Sequence, residues 1–261
     1  MITYKDQFEA IGRASALIND AKKITVLTGA GISTDSGIPD FRGPNGIWTK
    51  NPEAEKASDI RFYIADPEIR KRNWQLRASG EMWPEAIPND GHRALVHLEK
   101  RGLLHALVTQ NVDGLHETAG NSRERIIEIH GTTRRAMCLS CEWRDDIEVI
   151  LERVRSGDED PKCDCGGLLK SATVSFGQNL FPQAMERMQK AAVECDLMIA
   201  IGTTLTVYPV AQMVPIALEN GASIIIVNGE KTAMDAMAKV VVNAPISDVL
   251  PIIMNWSNED R

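Results

Sequence analysis

The fold is decided by the stretch ITVLTGAGISTDSGIPDFRG, residues 24–43. Its first part, Ile24–Thr28, is a nearly continuous apolar run, which is typical of a strand covered on both faces of a sheet. The glycines that follow let backbone amides approach a pyrophosphate, and a helix start would add its partial positive charge. The stretch therefore predicts the first strand of a parallel sheet, followed by a phosphate-binding turn.

Further apolar runs predict the rest of the sheet. They cover residues 106–110, 126–130, 197–202, 223–228 and 239–243, and segments with helical periodicity lie between them, at 6–22, 92–101, 185–195 and 210–220. Strands that alternate with helices indicate a doubly wound α/β fold. We therefore expect a Rossmann-like parallel sheet with helices on both faces.

Polar residues follow five of these strands. They are Gly29, Gln110–Asn111, Gly131 after His130, Gly202–Thr203–Thr204 and Asn228–Gly229. Ligands bind at the carboxyl ends of the strands in open α/β sheets, so these residues are expected to line one crevice. Any single one of them could be only a turn residue that ends a strand.

Two insertions interrupt the alternation of strands and helices. Residues 44–91 contain five prolines and three tryptophans without a clear strand, and residues 131–175 contain four of the five cysteines. The sequence thus predicts a helical or irregular insertion at 44–91, a metal-binding module at 131–175, and a large Rossmann-like domain assembled from residues 1–43, 92–130 and 176–261.

The cysteines of the second insertion have the spacing of a structural zinc site. Cys138 and Cys141 form one pair, and Cys163 and Cys165 form the other. Four thiolates complete a tetrahedral shell and leave no open position for catalysis. Cys195 precedes a strand and is expected in the core.

Composition restricts the possible partners and the location. The 261-residue chain carries a net charge of -7 and has no basic block, which argues against nucleic-acid binding. It shows neither a membrane-spanning stretch nor a secretory signal, so a cytoplasmic location without membrane contact is expected. The oligomeric state stays open.

A set of motifs resembles the sirtuin family. The set consists of residues 29–43, the string TQNVDGLH at 109–116, His130–Gly131, Phe176–Gly177 and GTTL at 202–205, in the family's order and at comparable spacings. The resemblance runs from about residue 12 to 255. Three features depart from the family's pattern: a single residue separates Cys163 from Cys165, the segment 171–178 lacks the Pro that commonly precedes the substrate strand, and Gln178 replaces a usual Glu.

The resemblance implies NAD as co-substrate and zinc as a structural metal. By this resemblance NAD would be bound by residues from every part of the crevice, namely Gly29, Ala30, Gly31, Thr34, Asp40, Phe41, Arg42, Gln110, Asn111, Asp113, Gly202, Thr203, Thr204, Asn228, Glu230 and Ile246. Asn111 and Asp113 would line the nicotinamide pocket and act in catalysis. The strand with Val174, Phe176 and Gly177 would pair with the backbone of an acyl-lysine protein or peptide.

The implied activity is NAD-dependent removal of an acyl group from lysine, with transfer to ADP-ribose and release of nicotinamide. His130 matches the family's general base, a task that suits imidazole because its ordinary pKa lies near neutrality. His92, His97, His105 and His116 are read as structural, with His105 placed before a strand.

Three alternative functions can be distinguished from deacylation by features of the sequence. A protein mono-ADP-ribosyltransferase would use the same NAD site with another nucleophile, but the presence of His130 favours deacylation. A non-catalytic NAD or ADP-ribose sensor would lack His130, Asn111 or Asp113, and all are present. A zinc-ribbon adaptor for nucleic acid would need a basic face.

The helical insertion at 44–91 also indicates whether a charged or an uncharged acyl group is preferred. Sirtuins that prefer acidic acyl chains typically carry a Tyr with an Arg three residues later, whereas Asp66 stands three residues after Tyr63. An Asp there would repel a carboxylate, so the sequence predicts faster removal of uncharged acyl groups than of succinyl or glutaryl.

Overall fold

The computed structural model describes residues 4–40, 46–50, 58–80 and 86–257. In these ranges the strands are β1 (Ile24–Thr28), β2 (Leu104–Thr109), β3 (Ile126–Glu128), β4 (Gly131–Cys138), β5 (Arg144–Asp146), β6 (Leu169–Thr173), β7 (Leu197–Ile201), β8 (Ser223–Val227) and β9 (Val240–Val242). The α-helices are α1 (Tyr4–Asp20), α2 (Ile47–Lys50), α3 (Ile60–Ala65), α4 (Pro67–Ala78), α5 (Asp90–Lys100), α6 (Leu115–Ala119), α7 (Ile147–Arg155), α8 (Pro182–Glu194), α9 (Met213–Glu219) and α10 (Ile246–Ile253).

Six strands form one sheet in the order β3-β2-β1-β7-β8-β9. Every neighbouring pair in it is parallel. The chain runs outward from β1 to β3, then returns and runs outward again from β7 to β9. The direction therefore switches between β1 and β7, which is where open α/β sheets bind ligands. The predicted fold class is confirmed.

Both faces of this sheet are covered by helices. One core cluster joins the sheet to α1, α5 and α10 through residues such as Ile18, Leu98 and Ile253. A second cluster on the opposite face joins it to α8 and α9 through Met188 and Val214. Burial on both sides explains the continuous apolar runs of β1 and β7, whose residues are all buried.

The cysteine-bearing segment forms a separate three-stranded antiparallel sheet, in the order β5-β4-β6. Its core includes Trp74 from α4, which is fully buried against Ile150 and Leu169. Arg70, also on α4, forms an ion pair with Asp160, with Nη2 and Oδ2 2.9 Å apart. The helical insertion and the cysteine module thus pack together beside the large sheet.

None of the helices in the described ranges combines the length and the apolar character needed to cross a membrane.

Candidate active site and metal centre

The glycine-rich turn after β1 packs directly on the end of β7. The Gly29 N–H donates to Ile201 O and the Gly31 N–H to Gly202 O, both at 2.9 Å. A Cβ on Gly29 would lie 2.6 Å from Gly202 O, and one on Gly31 would lie 2.7 Å from Gly202 Cα. Both glycines are therefore required by the contact between the two strand ends, in addition to any contact with a ligand.

The turn continues as a 3₁₀ helix over Ala30–Ser36 and ends at Gly37, whose φ of 84° is left-handed. Asn89, the N-cap of α5, holds it from the side: its Nδ2 donates to Ile32 O at 2.8 Å and to Ser36 Oγ at 2.9 Å. The segment after β1 is thus a fixed turn rather than a long α-helix.

A single cavity of about 1660 Å³ runs along the carboxyl ends of the strands. It brings together most of the predicted site residues, namely Gly29, Ala30, Gly31, Thr34, Asp40, Gln110, Asn111, His130, Val174, Phe176, Gly177, Gly202, Thr203, Thr204, Asn228, Glu230 and Ile246. Asp113 lines a smaller adjoining cavity that shares Ile38 and Thr133 with the large one. Phe41 and Arg42 lie outside the described residues.

His130 is half-buried in the cavity wall, at the end of β3. Its Nδ1 lies 2.9 Å from the backbone oxygen of Gln110. Because a carbonyl oxygen only accepts hydrogen bonds, Nδ1 carries the proton and Nε2 keeps its lone pair. Burial lowers the pKa of His130, against the opposing effect of the Gln110 bond. The imidazole is therefore a neutral base at physiological pH.

The loop after β2 is held by a network centred on Ser33. Ser33 Oγ donates to Asp113 Oδ2 at 2.8 Å and accepts from Asn111 Nδ2 at 3.1 Å. Asn111 Nδ2 also lies 3.2 Å from Gly29 O, and Asp113 Oδ1 accepts from the Leu115 N–H at 2.9 Å. Burial raises the pKa of Asp113, partly offset by these bonds. Ser33 is not among the site residues predicted from the sequence, although it lies within the Gly29–Gly43 string.

Contacts on the other side of the cavity join the ends of β2 and β7 and hold the loop after β8. Gln110 Nε2 donates to Thr203 Oγ1 at 3.0 Å across the switch point. Asn228 Nδ2 donates to Glu230 O at 2.8 Å, which fixes the loop after β8. These polar side chains line the same cavity as His130.

The predicted substrate strand is shorter than expected: β6 ends at Thr173, and the segment that follows it contains only an isolated bridge at Phe176. The Val174 N–H donates to His130 O at 2.8 Å, so this segment is attached to the residue of the candidate base. The backbone of Phe176 pairs with Ser58 and Ile60 of the helical insertion. Gln178 Oε1 accepts from the Ser175 N–H at 2.9 Å, a bond that a Glu would also accept. The local geometry is therefore compatible with either Gln or Glu at position 178.

The four clustered cysteines converge on one point. Their sulfurs all lie within 4.8 Å of one another, with Cys138 and Cys165 at 3.6 Å and Cys141 and Cys163 at 3.7 Å. Sulfurs bound to one tetrahedral zinc at 2.3 Å lie roughly 3.8 Å apart. The shortened Cys163–Cys165 pair thus still presents both sulfurs, and the donor set fits zinc.

Local backbone groups favour thiolate at one of the four cysteines. Burial alone would raise the pKa of Cys138, but hydrogen bonds from the Ser140 and Cys141 backbones, with the Ser140 N–H 3.3 Å from Cys138 Sγ, outweigh it and lower the pKa to about 7. Against backbone hydrogen bonds that would lower it, burial and the neighbouring thiols raise the pKa of Cys141 and of Cys163. The convergence of the four sulfurs, and not their pKa values, therefore carries the assignment of a metal centre.

The other histidines of the chain do not line either cavity. His92 and His116 are buried with ring centroids 4.9 Å apart, and His116 Nε2 lies 3.0 Å from Thr28 Oγ1. His105 lies within β2 rather than before it, so that placement was wrong: the parallel pairing begins one residue earlier, at Leu104. Its Nε2 is 3.3 Å from Glu194.

The family model and the similar proteins of known name all indicate the same family. The model of the Sir2 family matches residues 29–209. The chain is 44% identical over 232 residues to the NAD-dependent protein deacetylase 2 of Streptomyces coelicolor, covering 88% of this chain and 96% of that protein. It is 41% identical over 250 residues to the NAD-dependent protein deacetylase of Sulfolobus acidocaldarius, covering 92% and 96%.

Solved structures agree with the sequence relatives. A Sir2 structure with a p53 peptide and NAD+ superposes with a TM-score of 0.80 at 34% identity, covering 92% of this chain and 95% of that one. Sir2 bound to an acetylated peptide gives a TM-score of 0.81 at 32% identity, covering 94% and 97%. Since the family model spans more than half of the chain and the relatives cover nearly all of it, the chain belongs to the Sir2, or sirtuin, family.

Proposed function

We propose that the protein is an NAD-dependent protein lysine deacylase that transfers the acyl group to ADP-ribose and releases nicotinamide. The observation that carries this proposal is the position of His130. His130, whose Nε2 is left unprotonated, lines the same cavity as the Gly29–Gly31 turn, the Asn111 loop and Val174. A base is thus available where a cofactor and an extended peptide would meet.

Different residues of the cavity are assigned to different parts of the reaction. NAD, when bound, supplies a ribose carbon that becomes electrophilic as nicotinamide leaves. The N–H groups of Gly29 and Gly31 bond to the end of β7, so these glycines allow a pyrophosphate to approach the turn closely but do not donate to it. Asn111 and Asp113 are assigned to the carboxamide of nicotinamide. The network through Ser33 fixes both side chains before any ligand binds, which reduces the cost of ordering them.

His130 is assigned to a single proton transfer. Its Nε2 takes the proton of a ribose hydroxyl so that the oxygen becomes nucleophilic. The Gln110 carbonyl accepts from Nδ1 in both protonation states, so it holds the ring in place and stabilises the imidazolium that forms. The edge of the Val174 strand would hold the peptide through backbone hydrogen bonds, which carry little side-chain information.

Zinc, held by Cys138, Cys141, Cys163 and Cys165, has a structural role in this proposal. Four sulfur ligands leave no position for a substrate. The centre lies in the module that β4 and β6 connect to the substrate strand. A cytoplasmic location and acyl-lysine proteins as partners also belong to the proposal, and reduced thiols in a metal centre are compatible with a reducing compartment.

A direct test follows NAD consumption with and without an acyl group. Nicotinamide release should require an acyl-lysine peptide and should be absent with the same peptide carrying free lysine, because the acyl oxygen is the attacking atom. Liquid chromatography of nicotinamide measures it. Equal NAD cleavage with both peptides would contradict the proposal.

Asp113→Asn should weaken inhibition by free nicotinamide as well as slow the reaction. One pocket serves the leaving group and the product, and a hydrogen bond to a charged group is worth about 1.5 kcal/mol or more, roughly tenfold in the inhibition constant. Asp248→Asn, on the exposed side of α10, is the control and should change neither quantity. A slowed Asp113 variant with unaltered nicotinamide inhibition would remove Asp113 from the pocket.

The pH dependence of kcat/KM should report the lowered pKa of His130. Burial lowers this pKa below its ordinary value of 6.5. The neutral base therefore persists to lower pH, and activity should be lost only as pH falls through a value below 6.5. The residual activity of a His130→Ala variant should lack this inflection. An inflection above 6.5 in the parent enzyme would show that another charge controls the base.

A further inference from the structure

The loop that carries Asp113 is held by two sets of contacts, the Ser33 network and the first residues of β4. The Thr133 N–H donates to Val112 O at 3.0 Å, and Thr133 Oγ1 donates to the same oxygen at 2.8 Å. Thr133 is the third residue of β4, and Cys138 is its last. One strand therefore connects the residue before Asp113 with the cysteine centre.

Arg134, the next residue of β4, lies with its guanidinium against the backbone of this loop. A Cβ on Gly114 would lie 2.6 Å from Arg134 Cζ and 2.9 Å from its Nη2. Gly114 stands between Asp113 and α6, and its φ of 71° lies in the left-handed region. The close approach excludes a side chain and the conformation favours glycine, so the cation contacts the main chain directly after Asp113.

Two polar contacts fix the Arg134 side chain on α6. Its Nη2 donates to Thr118 Oγ1, and its Nη1 lies 3.6 Å from Glu117 Oε2 in an ion pair. Thr118 Oγ1 also donates to Gly114 O at 3.1 Å. A carboxylate and a hydroxyl of α6 therefore hold the cation over the turn that follows Asp113.

The charge of Arg134 also acts on Asp113. Both residues line the smaller cavity. Burial raises the pKa of Asp113, whereas the bonds from Leu115 and Ser33 and the positive charge of Arg134 oppose the rise. A buried carboxylate is unfavourable without such partners. Arg134 thus favours the ionised form of Asp113, which is the form that the Ser33 hydroxyl and the Leu115 N–H bind.

We propose that Arg134 is a positioning residue of the nicotinamide pocket: it holds the Gly114 turn and α6 so that Asp113 keeps its place toward the carboxamide. Arg134 acts through Asp113 and not by contact with the ligand. This inference rests on the proposed function, in which Asp113 is assigned to nicotinamide. It also gives the cysteine module a part in the reaction, because β4 carries both Arg134 and the candidate zinc ligand Cys138.

A positioning role and a purely structural role of Arg134 differ in which constants change. Loss of positioning should affect the constants that depend on the nicotinamide pocket, namely the inhibition constant of nicotinamide and the KM for NAD. The KM for the peptide should change little, because the segment assigned to the peptide is attached to His130 O rather than to Arg134. Loss of stability alone would instead reduce the amount of folded protein.

The experiment measures the nicotinamide inhibition constant, the KM values for NAD and for an acetyl-lysine peptide, and kcat, with the zinc-loaded full chain. Arg134→Met should raise the nicotinamide inhibition constant by about fivefold, the size of effect expected for a charge pair whose cation is 44% exposed. The peptide KM should change by less than about twofold. Arg134→Lys keeps the charge without the planar fork, so it should recover part of the change.

Arg135→Met is the matched control, because it removes the same charge from the next residue of β4. Arg135 is also exposed, and the ion pairs between described residues do not include it. This variant should change none of the constants. Glu117→Gln removes the ion pair but leaves the bond from Arg134 to Thr118, so it should give a smaller change than Arg134→Met in the same direction.

The outcomes separate this inference from the proposed function. An unchanged nicotinamide inhibition constant in a folded Arg134→Met variant, or an equal change in Arg135→Met, overturns the positioning role. A variant that loses thermal stability and folded protein while its nicotinamide inhibition and KM values stay those of the parent assigns Arg134 to stability alone and also overturns it. The absence of NAD-dependent turnover in the parent enzyme overturns the proposed function instead. Zinc content and thermal unfolding verify that each variant is folded.

Discussion

His130→Ala should lower acyl-lysine turnover by ~10²–10⁴-fold while leaving NAD binding nearly unchanged. The imidazole contacts the chain through Nδ1 and Gln110 O, and its Nε2 is reserved for a proton transfer after the cofactor has bound. Calorimetric titration with NAD, beside single-substrate kinetics, measures the two quantities separately.

His105→Ala is the matched control for this variant. His105 lies in β2, where its side chain contacts Glu194 rather than the cavity, and its removal should leave kcat nearly unchanged. If His130→Ala lost NAD binding and turnover to the same extent, the residue would be structural. Unchanged turnover would remove it as the base.

Removal of zinc should unfold the cysteine module and abolish activity. Structural zinc sites contribute ~10–16 kcal/mol of binding energy, which exceeds what a segment of this size gains from its own core. That core depends on Trp74 and on β4, whose last residue is Cys138. Elemental analysis should give about one zinc per chain, and titration with a chelator, followed by circular dichroism, should show metal release and loss of structure together.

Cys138→Ser should lose the metal, whereas Cys195→Ala should retain it. Cys195 is buried at the end of α8, with its sulfur 3.4 Å from Ala192 O, and is remote from the cluster. A folded and active enzyme with well below one zinc per chain would contradict the structural role. Such a result would also indicate that the Cys163–Cys165 pair is too short for a stable centre.

The sheet was predictable because its signal is local. Strands buried on both faces give apolar runs, and all six predicted runs became neighbours in one parallel sheet, with ends shifted by one or two residues. The displaced start of β2, which includes His105, shows the usual limit at strand ends: the pairing with β1, and not the sequence run, determines where β2 begins.

The part of the candidate site that could be predicted consists of residues in short motifs that directly follow strands. Gly29, Gly31, Asn111 and His130 end neighbouring strands, so their convergence follows from topology. The reason for the glycines was only partly visible, because their contact with Gly202 joins strands that are far apart in sequence.

Other features depend on packing between distant segments. Lys170 and Arg77 line the large cavity from different insertions, and no periodic pattern in the sequence indicates this position for either residue. Ser33 connects Asn111 with Asp113 only after folding. The roles assigned to single residues, the five-part division of the chain, and the contributions of Phe41 and Arg42 stay predictions.

The central claim is that the acyl group moves from lysine to ADP-ribose, and mass spectrometry of the products tests it most directly. With NAD and an acyl-lysine peptide, we expect equal amounts of nicotinamide, free-lysine peptide and ADP-ribose that carries the acyl mass. A peptide that retained its acyl group and gained the mass of ADP-ribose would contradict the account and would identify an ADP-ribosyltransferase instead.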